Sequence, residues 1–174
     1  NRMPTNVSLT GLARDLEERA KQDKPIRIGL IGCGEMGTDV ITRVAHMQGI
    51  EVAAVSDRGL TRATDALKIA TGSSEAASPV DSEKSMIAAI EAGKMAVTEN
   101  SLLIAENPLV DVVIDATGVP SVGAEIGLAA MENGKHLTMM NVEADVCIGP
   151  YLKSQAERLG VVYSLGAGDE PSSC

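Results

Sequence analysis

Six consecutive residues, Gly32-Cys33-Gly34-Glu35-Met36-Gly37, carry the spacing G-x-G-x-x-G directly after the β-branched run Ile26 to Ile31. That placement gives each glycine a task. Gly32 permits a tight turn, Gly34 lets a diphosphate approach the backbone, and Gly37 lets the following helix pack close to the strand. The first N–H groups of that helix, around Glu35 and Met36, then face the anion. Asp57 lies 57 − 37 = 20 residues beyond the last glycine, where a dinucleotide fold places its ribose reader. Its carboxylate suits ribose hydroxyls and so favours NAD. Flanking Ser56 and Arg58, with Arg62 one helical turn further, suit a 2′-phosphate and leave NADP equally open. Three later strand ends also offer groups. Ala116-Thr117-Gly118 leaves room for a cofactor, and Asn141 and Glu143 reach toward its nicotinamide half while also suiting helix caps. Asp169 and Glu170 are the local candidates for catalytic acid and charge stabiliser.

The remaining reactive side chains carry less. His46 sits in an amphipathic segment and His136 opens a strand-like run, with no second histidine at metal-ligand spacing, so no metal is expected. Cys33, Cys147 and Cys174 are odd in number and lack C-x-x-C spacing, which argues against a disulfide framework and a zinc site and fits a reducing compartment. Cys33 lies at a helix start, where a thiol pKa can fall, although a small residue that fits the loop is the simpler reading. With 15 Lys plus Arg against 24 Asp plus Glu, no basic cluster exists to neutralise a run of phosphates, which excludes nucleic acid as a partner. No apolar run approaches the ~18 to 20 residues that span a bilayer, and no basic-then-apolar leader opens the chain. The expectation is a soluble, cytoplasmic protein without a membrane partner.

Positioning these residues requires a sheet. A chain of 174 residues buries roughly 70% of the surface that its unfolded form exposes, enough for one self-supporting core. With no Phe and no Trp, that core must be aliphatic. Residues 1–24 read as an N-terminal amphipathic helix: Leu9, Leu12, Ala13, Leu16 and Ala20 recur at helical spacing, with Ser8 as N-cap. Residues 25–174 read as the nucleotide-binding domain. Strands are expected at Ile26–Ile31, Glu51–Val55, Met95–Thr98, Leu109–Ala116, His136–Asn141 and Val161–Leu165. Helices alternate with them: one over Met36 to Val44 closed by Gly49, one over Leu60–Ala70, one capped by Asp81 and ending near Gly93, and then Ser101–Ala105, Ser121–Asn133 and Pro150–Leu159. Pro150 suits a first helical turn, and Thr71 to Ser78 reads as a polar loop closed by Pro79. Six strands separated by helices predict an α/β doubly wound parallel sheet, the Rossmann NAD(P)-binding fold. The Gly/Pro/Ser stretch Gly166 to Cys174, with no closing helix, predicts a domain cut from a longer protein.

Taken together, Ile28 to Gly37, D-V-V-I-D-A-T-G from Asp111 to Gly118, M-N-V-E-A-D from Met140 and S-L-G-A-G-D-E-P from Ser164 resemble the homoserine dehydrogenase-like oxidoreductases. Within that group the chain is most similar to the bacterial 1-deoxy-D-xylulose 5-phosphate reductoisomerase-like proteins. The resemblance runs from Pro25 onward and implies an NADP(H)-binding half, so that NADP is favoured over NAD. It also implies a second half, missing here, that supplies the substrate site and the homo-oligomer interface. The Asn-Lys pair of homoserine dehydrogenases is Asn141-Val142 here, which turns the implied substrate from homoserine toward a sugar phosphate or sugar acid. Two other classes share the early motifs: a dinucleotide-binding redox sensor without turnover, and a nucleoside-binding methyltransferase-type domain.

Overall fold

The computed structural model describes residues 10–166. Ser8, Leu9, Asp169 and Glu170 lie outside them. The chain order is α1 (Leu12–Lys21), β1 (Ile26–Ile31), α2 (Glu35–Val44), β2 (Ile50–Ser56), α3 (Leu60–Thr71), β3 (Ala77–Pro79), α4 (Glu83–Glu91), β4 (Met95–Thr98), α5 (Ser101–Glu106), β5 (Val112–Asp115), α6 (Pro120–Glu132), β6 (His136–Met139), α7 (Val142–Leu159) and β7 (Tyr163–Leu165). All strand pairs are parallel, in the order β3-β4-β2-β1-β5-β6-β7. The order reverses at β1, which pairs with β2 on one side and β5 on the other. This is the switch point at which a doubly wound sheet opens a crevice for ligands.

Alternation along the strands divides the core into two layers. Leu30, Val55 and Val97 pack with Ile41 of α2 and with Ala63, Ala66 and Leu67 of α3. Their neighbours Ile31, Ala54 and Ala96 point the other way, onto a layer that includes Met86, Ile104, Ile126, Leu152 and Ala156 from α4, α5, α6 and α7. The interior is aliphatic as expected, and Met86, Met131 and Met139, each fully buried, take up volume that aromatic rings often fill.

Five local expectations change. A seventh strand, β3, occupies the end of the stretch read as a loop. Its three residues lack apolar alternation and are held by pairing with Met95, Ala96 and Val97 of β4, and Pro79 is tolerated because the strand lies at the sheet edge. Helix α7 begins at Val142, not Pro150. Asn141 caps it by accepting the Ala144 N–H at 3.1 Å, and Ala144, Ile148, Leu152 and Ala156 form its inward stripe. Pro150 therefore sits inside the helix, where it deprives the Val146 carbonyl of its usual donor; Val146 is 77% exposed, so water can serve that carbonyl. Ser82, not Asp81, caps α4, through a reciprocal pair of hydrogen bonds with Ser85. Helix α2 ends at Val44, so Gly49 does not close it; that residue lies against the Leu16 carbonyl at the entry to β2. Helix α1 starts at Leu12 and buries only Leu16 of its apolar set, leaving Leu12 72% exposed.

Lys135, only 4% exposed, donates from Nζ to the Val110 carbonyl at 3.0 Å. Burial lowers the pKa of its ammonium below the ordinary 10.5, with Asp111 opposing the shift. The folded state then holds fewer protons than the unfolded state in the window below 10.5, so Lys135 makes stability rise with pH there. In urea unfolding across pH 7 to 10, the stability of the parent should rise with pH relative to that of Lys135→Met. Parallel slopes for the two proteins would refute the assignment.

Candidate cofactor site

The glycine loop forms where β1 runs out. Gly32 adopts φ +91°, and a Cβ there would stand 2.9 Å from the Ala116 carbonyl oxygen of the neighbouring strand end. Its N–H donates to the Ser56 carbonyl at 2.8 Å, while the Ile31 carbonyl accepts the Ala116 N–H at 2.8 Å, so the loop is pinned to both neighbours. A Cβ on Gly37 would collide with the Gly32 carbonyl oxygen, which is how closely α2 abuts β1. Gly34 is different. It is the N-cap of α2, no side chain caps the helix, and a Cβ there would meet nothing within 4 Å. The first-turn N–H groups of Glu35, Met36 and Gly37, which no helical carbonyl satisfies, lie at the positive end of the helix dipole beside the exposed Gly34. Glu35 and Met36 are themselves exposed at this opening.

Asp57 braces the loop from β2. Its side chain is 7% exposed. One carboxylate oxygen accepts the Cys33 N–H at 2.9 Å and the other accepts the Gly59 N–H at 3.0 Å, with an Arg62 guanidinium nitrogen 3.8 Å away. Arg58 is exposed and, among the described residues, forms no ion pair. Ser56 turns away from the opening: its hydroxyl is buried and shares a 2.8 Å hydrogen bond with Ser101 of α5. The Cys33 thiol is also buried. Its pKa is raised rather than lowered, chiefly by burial and further by Asp57, with Thr38 and Arg62 opposing. It is a small neutral filler.

Across the switch point, the ends of β5 and β6 are tied by a network that local sequence reading missed. Asp115 is fully buried. Its Oδ1 accepts the Thr117 N–H at 3.0 Å and the Thr117 hydroxyl at 2.8 Å, and its Oδ2 accepts Asn141 Nδ2 at 2.9 Å. Asn141 Nδ2 also donates to the Val119 carbonyl at 2.9 Å, while Asn141 Oδ1 caps α7. These partners fix the orientation of the amide. Gly123 completes the arrangement, because a Cβ there would stand 2.6 Å from Asp115 Oδ2 and 2.8 Å from Ala144 Cβ. A D-x-T spacing was the one signal available for Asp115, and nothing local marked Gly123.

The predicted residues thus separate into two groups. Gly32, Gly34, Glu35, Met36, Gly37, Ala116, Thr117 and Gly118 gather at the C-terminal ends of β1 and β5, with Asp57 and Arg58 beside them and Glu143 exposed in the first turn of α7. Cys33, Ser56 and Asn141 support them from below through buried side chains. His136 is structural, its Nδ1 accepting the Val162 N–H at 3.0 Å. A cleft of about 450 Å³ opens at the opposite end of the sheet, beside Pro25, Ile50 and Lys94, and none of the predicted residues lines it.

Comparison with known proteins identifies the family. The family profile described as "Homoserine dehydrogenase, NAD binding domain" matches residues 32–163, well over half of the chain. Homoserine dehydrogenase of Methylobacillus glycogenes is 29% identical over 134 residues, covering 72% of this chain and 27% of that protein. The crystal structure of a homoserine dehydrogenase from Thiobacillus denitrificans superposes with a TM-score of 0.58 at 24% identity, over 82% of this chain and 29% of that one. Scyllo-inositol dehydrogenase from Lactobacillus casei, solved with bound NAD(H) and scyllo-inositol, gives a TM-score of 0.56 at 18% identity over 82% of this chain and 36% of that one. The chain therefore spans less than a third of the length of the homoserine dehydrogenases it matches.

Gly123→Ala should destabilise the fold by roughly 1 to 3 kcal/mol in urea unfolding, because its methyl group must displace α6 from the Asp115 network. A change within experimental error would show that this close approach is not maintained in solution.

Proposed function

We infer, from a chain that belongs to the homoserine dehydrogenase NAD-binding domain family, that the full protein is an NAD(P)-dependent oxidoreductase and that this chain is its cofactor-binding part. The observation that carries the reading is the uncapped N-terminus of α2 at Gly34, open to space beside the strand-order reversal. These residues fit a dinucleotide: the loop N–H groups bind the diphosphate, and small residues at Ala116 and Gly118 leave the crevice clear. The cofactor, when bound, supplies hydride transfer between its nicotinamide and the carbonyl or hydroxyl carbon of a substrate.

The finer assignment is to NADP. Asp57 already receives two backbone N–H groups, whereas exposed Arg58, with Arg62 beside Asp57, has guanidinium donors available for a 2′-phosphate. The substrate is a small polar molecule of the sugar-phosphate or sugar-acid class, as the reductoisomerase-like resemblance implies. Asp169 and Glu170 are proposed as acid and charge stabiliser, and Glu143, exposed in the first turn of α7, as a cofactor contact. The remainder of the protein supplies the rest of the substrate site and a homo-oligomer interface. Among the described residues no helix is long and apolar enough to cross a membrane; the proposed location is the cytoplasm.

Calorimetric titration of the full-length protein with NADPH and NADH tests this reading. Gly34→Ala should leave stability within about 0.5 kcal/mol, since its methyl meets nothing, while weakening both cofactors by obstructing the diphosphate. Arg58→Ala should weaken NADPH by about 1 to 3 kcal/mol and leave NADH nearly unchanged. Equal losses for the two cofactors would remove Arg58 as the phosphate reader, and failure of the parent protein to bind either would overturn the dinucleotide reading.

A further inference from the structure

The hydrogen bonds around Asp115 specify a charge. Thr117 Oγ1 accepts from the Val119 N–H at 3.3 Å and lies 3.3 Å from Asn141 Nδ2, so its single hydrogen is directed at Asp115 Oδ1. Every partner of the carboxylate is then a donor, and none accepts a proton from it. Among the described residues no Lys, Arg or His nitrogen lies within ion-pair distance of Asp115. The site thus contains a fully buried carboxylate balanced by N–H and O–H dipoles and by the starts of α6 and α7, with no cation beside it. It lies at the end of β5, directly across the switch point from the glycine loop.

We propose that Asp115 is a specificity-determining residue, whose buried charge biases the site toward the oxidised form of a nicotinamide cofactor. The inference rests on the dinucleotide reading above. Oxidised and reduced cofactors carry the same phosphates, so those charges cancel in the comparison. The forms differ in the ring, which is cationic when oxidised and neutral when reduced. A dinucleotide anchored at the glycine loop extends across the crevice toward the ends of β5 and β6. Two unit charges about 10 Å apart at an effective dielectric of about 20 change a binding ratio by roughly tenfold. Burial makes that effect insensitive to salt.

The test is titration of the full-length protein with the oxidised and the reduced cofactor, for the parent, Asp115→Asn, and the double variant Asp115→Asn/Asn141→Asp. Asp115→Asn should lower affinity for the oxidised form about tenfold more than for the reduced form. The double variant keeps one carboxylate within the same network and should recover most of that ratio. Equal loss of both forms in Asp115→Asn would show a purely structural role and overturn the proposal while leaving the dinucleotide reading intact. Binding of neither form by the parent would overturn both. If the variants do not fold, the parent decides: oxidised cofactor bound at least as tightly as reduced, unchanged by salt, supports the proposal, and reduced cofactor bound tenfold more tightly overturns it.

Discussion

Buried carboxylates that accept backbone N–H groups hold the working edge of this sheet. Asp57 receives the N–H groups of Cys33 and Gly59, and Asp115 receives that of Thr117. They stand on opposite sides of β1, at the ends of its two neighbours β2 and β5. Asp57 fixes the glycine loop directly, and Asp115 fixes the β5 end against which Gly32 packs. A glycine-rich loop has little side-chain material of its own, so rigidity has to come from groups that reach it from elsewhere. Each carboxylate satisfies partly buried backbone donors, which makes the arrangement costly to disturb.

Glycines complete the same design by removing atoms. Gly37 allows α2 to touch the end of β1, and Gly123 allows α6 to touch the Asp115 network. Of the three motif glycines only Gly34 faces open space, and this contrast separates packing from exposure within one short motif. The two-layer aliphatic core behind the loop then serves as a support. Adjacent residues of β1, β2 and β4 face opposite layers, so helices on both sides clamp the central strands whose ends carry the site.

Regular local patterns made most of the architecture legible. The short β-branched runs, the glycine spacing after Ile31 and the helical periodicities placed six of seven strands. Where reading failed, local preference lost to tertiary pairing. Residues 77–79 form a strand only because β4 offers them an edge. Pro150 favours a first turn by itself, yet the cap at Asn141 and the inward stripe beyond it start the helix eight residues earlier.

By itself, the sequence determined the fold class, an aliphatic core and a glycine loop between the first strand and its helix, because each follows from residue type and short-range spacing. Tertiary structure decided what the polar side chains do. Ser56 faces α5, Asp57 braces the glycine loop, Asn141 clamps β5 to α7 and Asp115 is buried without a cation. The partners in these contacts are 24 to 45 residues apart in the chain and are brought together by strand order and register. Hydrogen bonding acts over about 3 Å in space, so which donors meet a carboxylate is settled only when the strands pair.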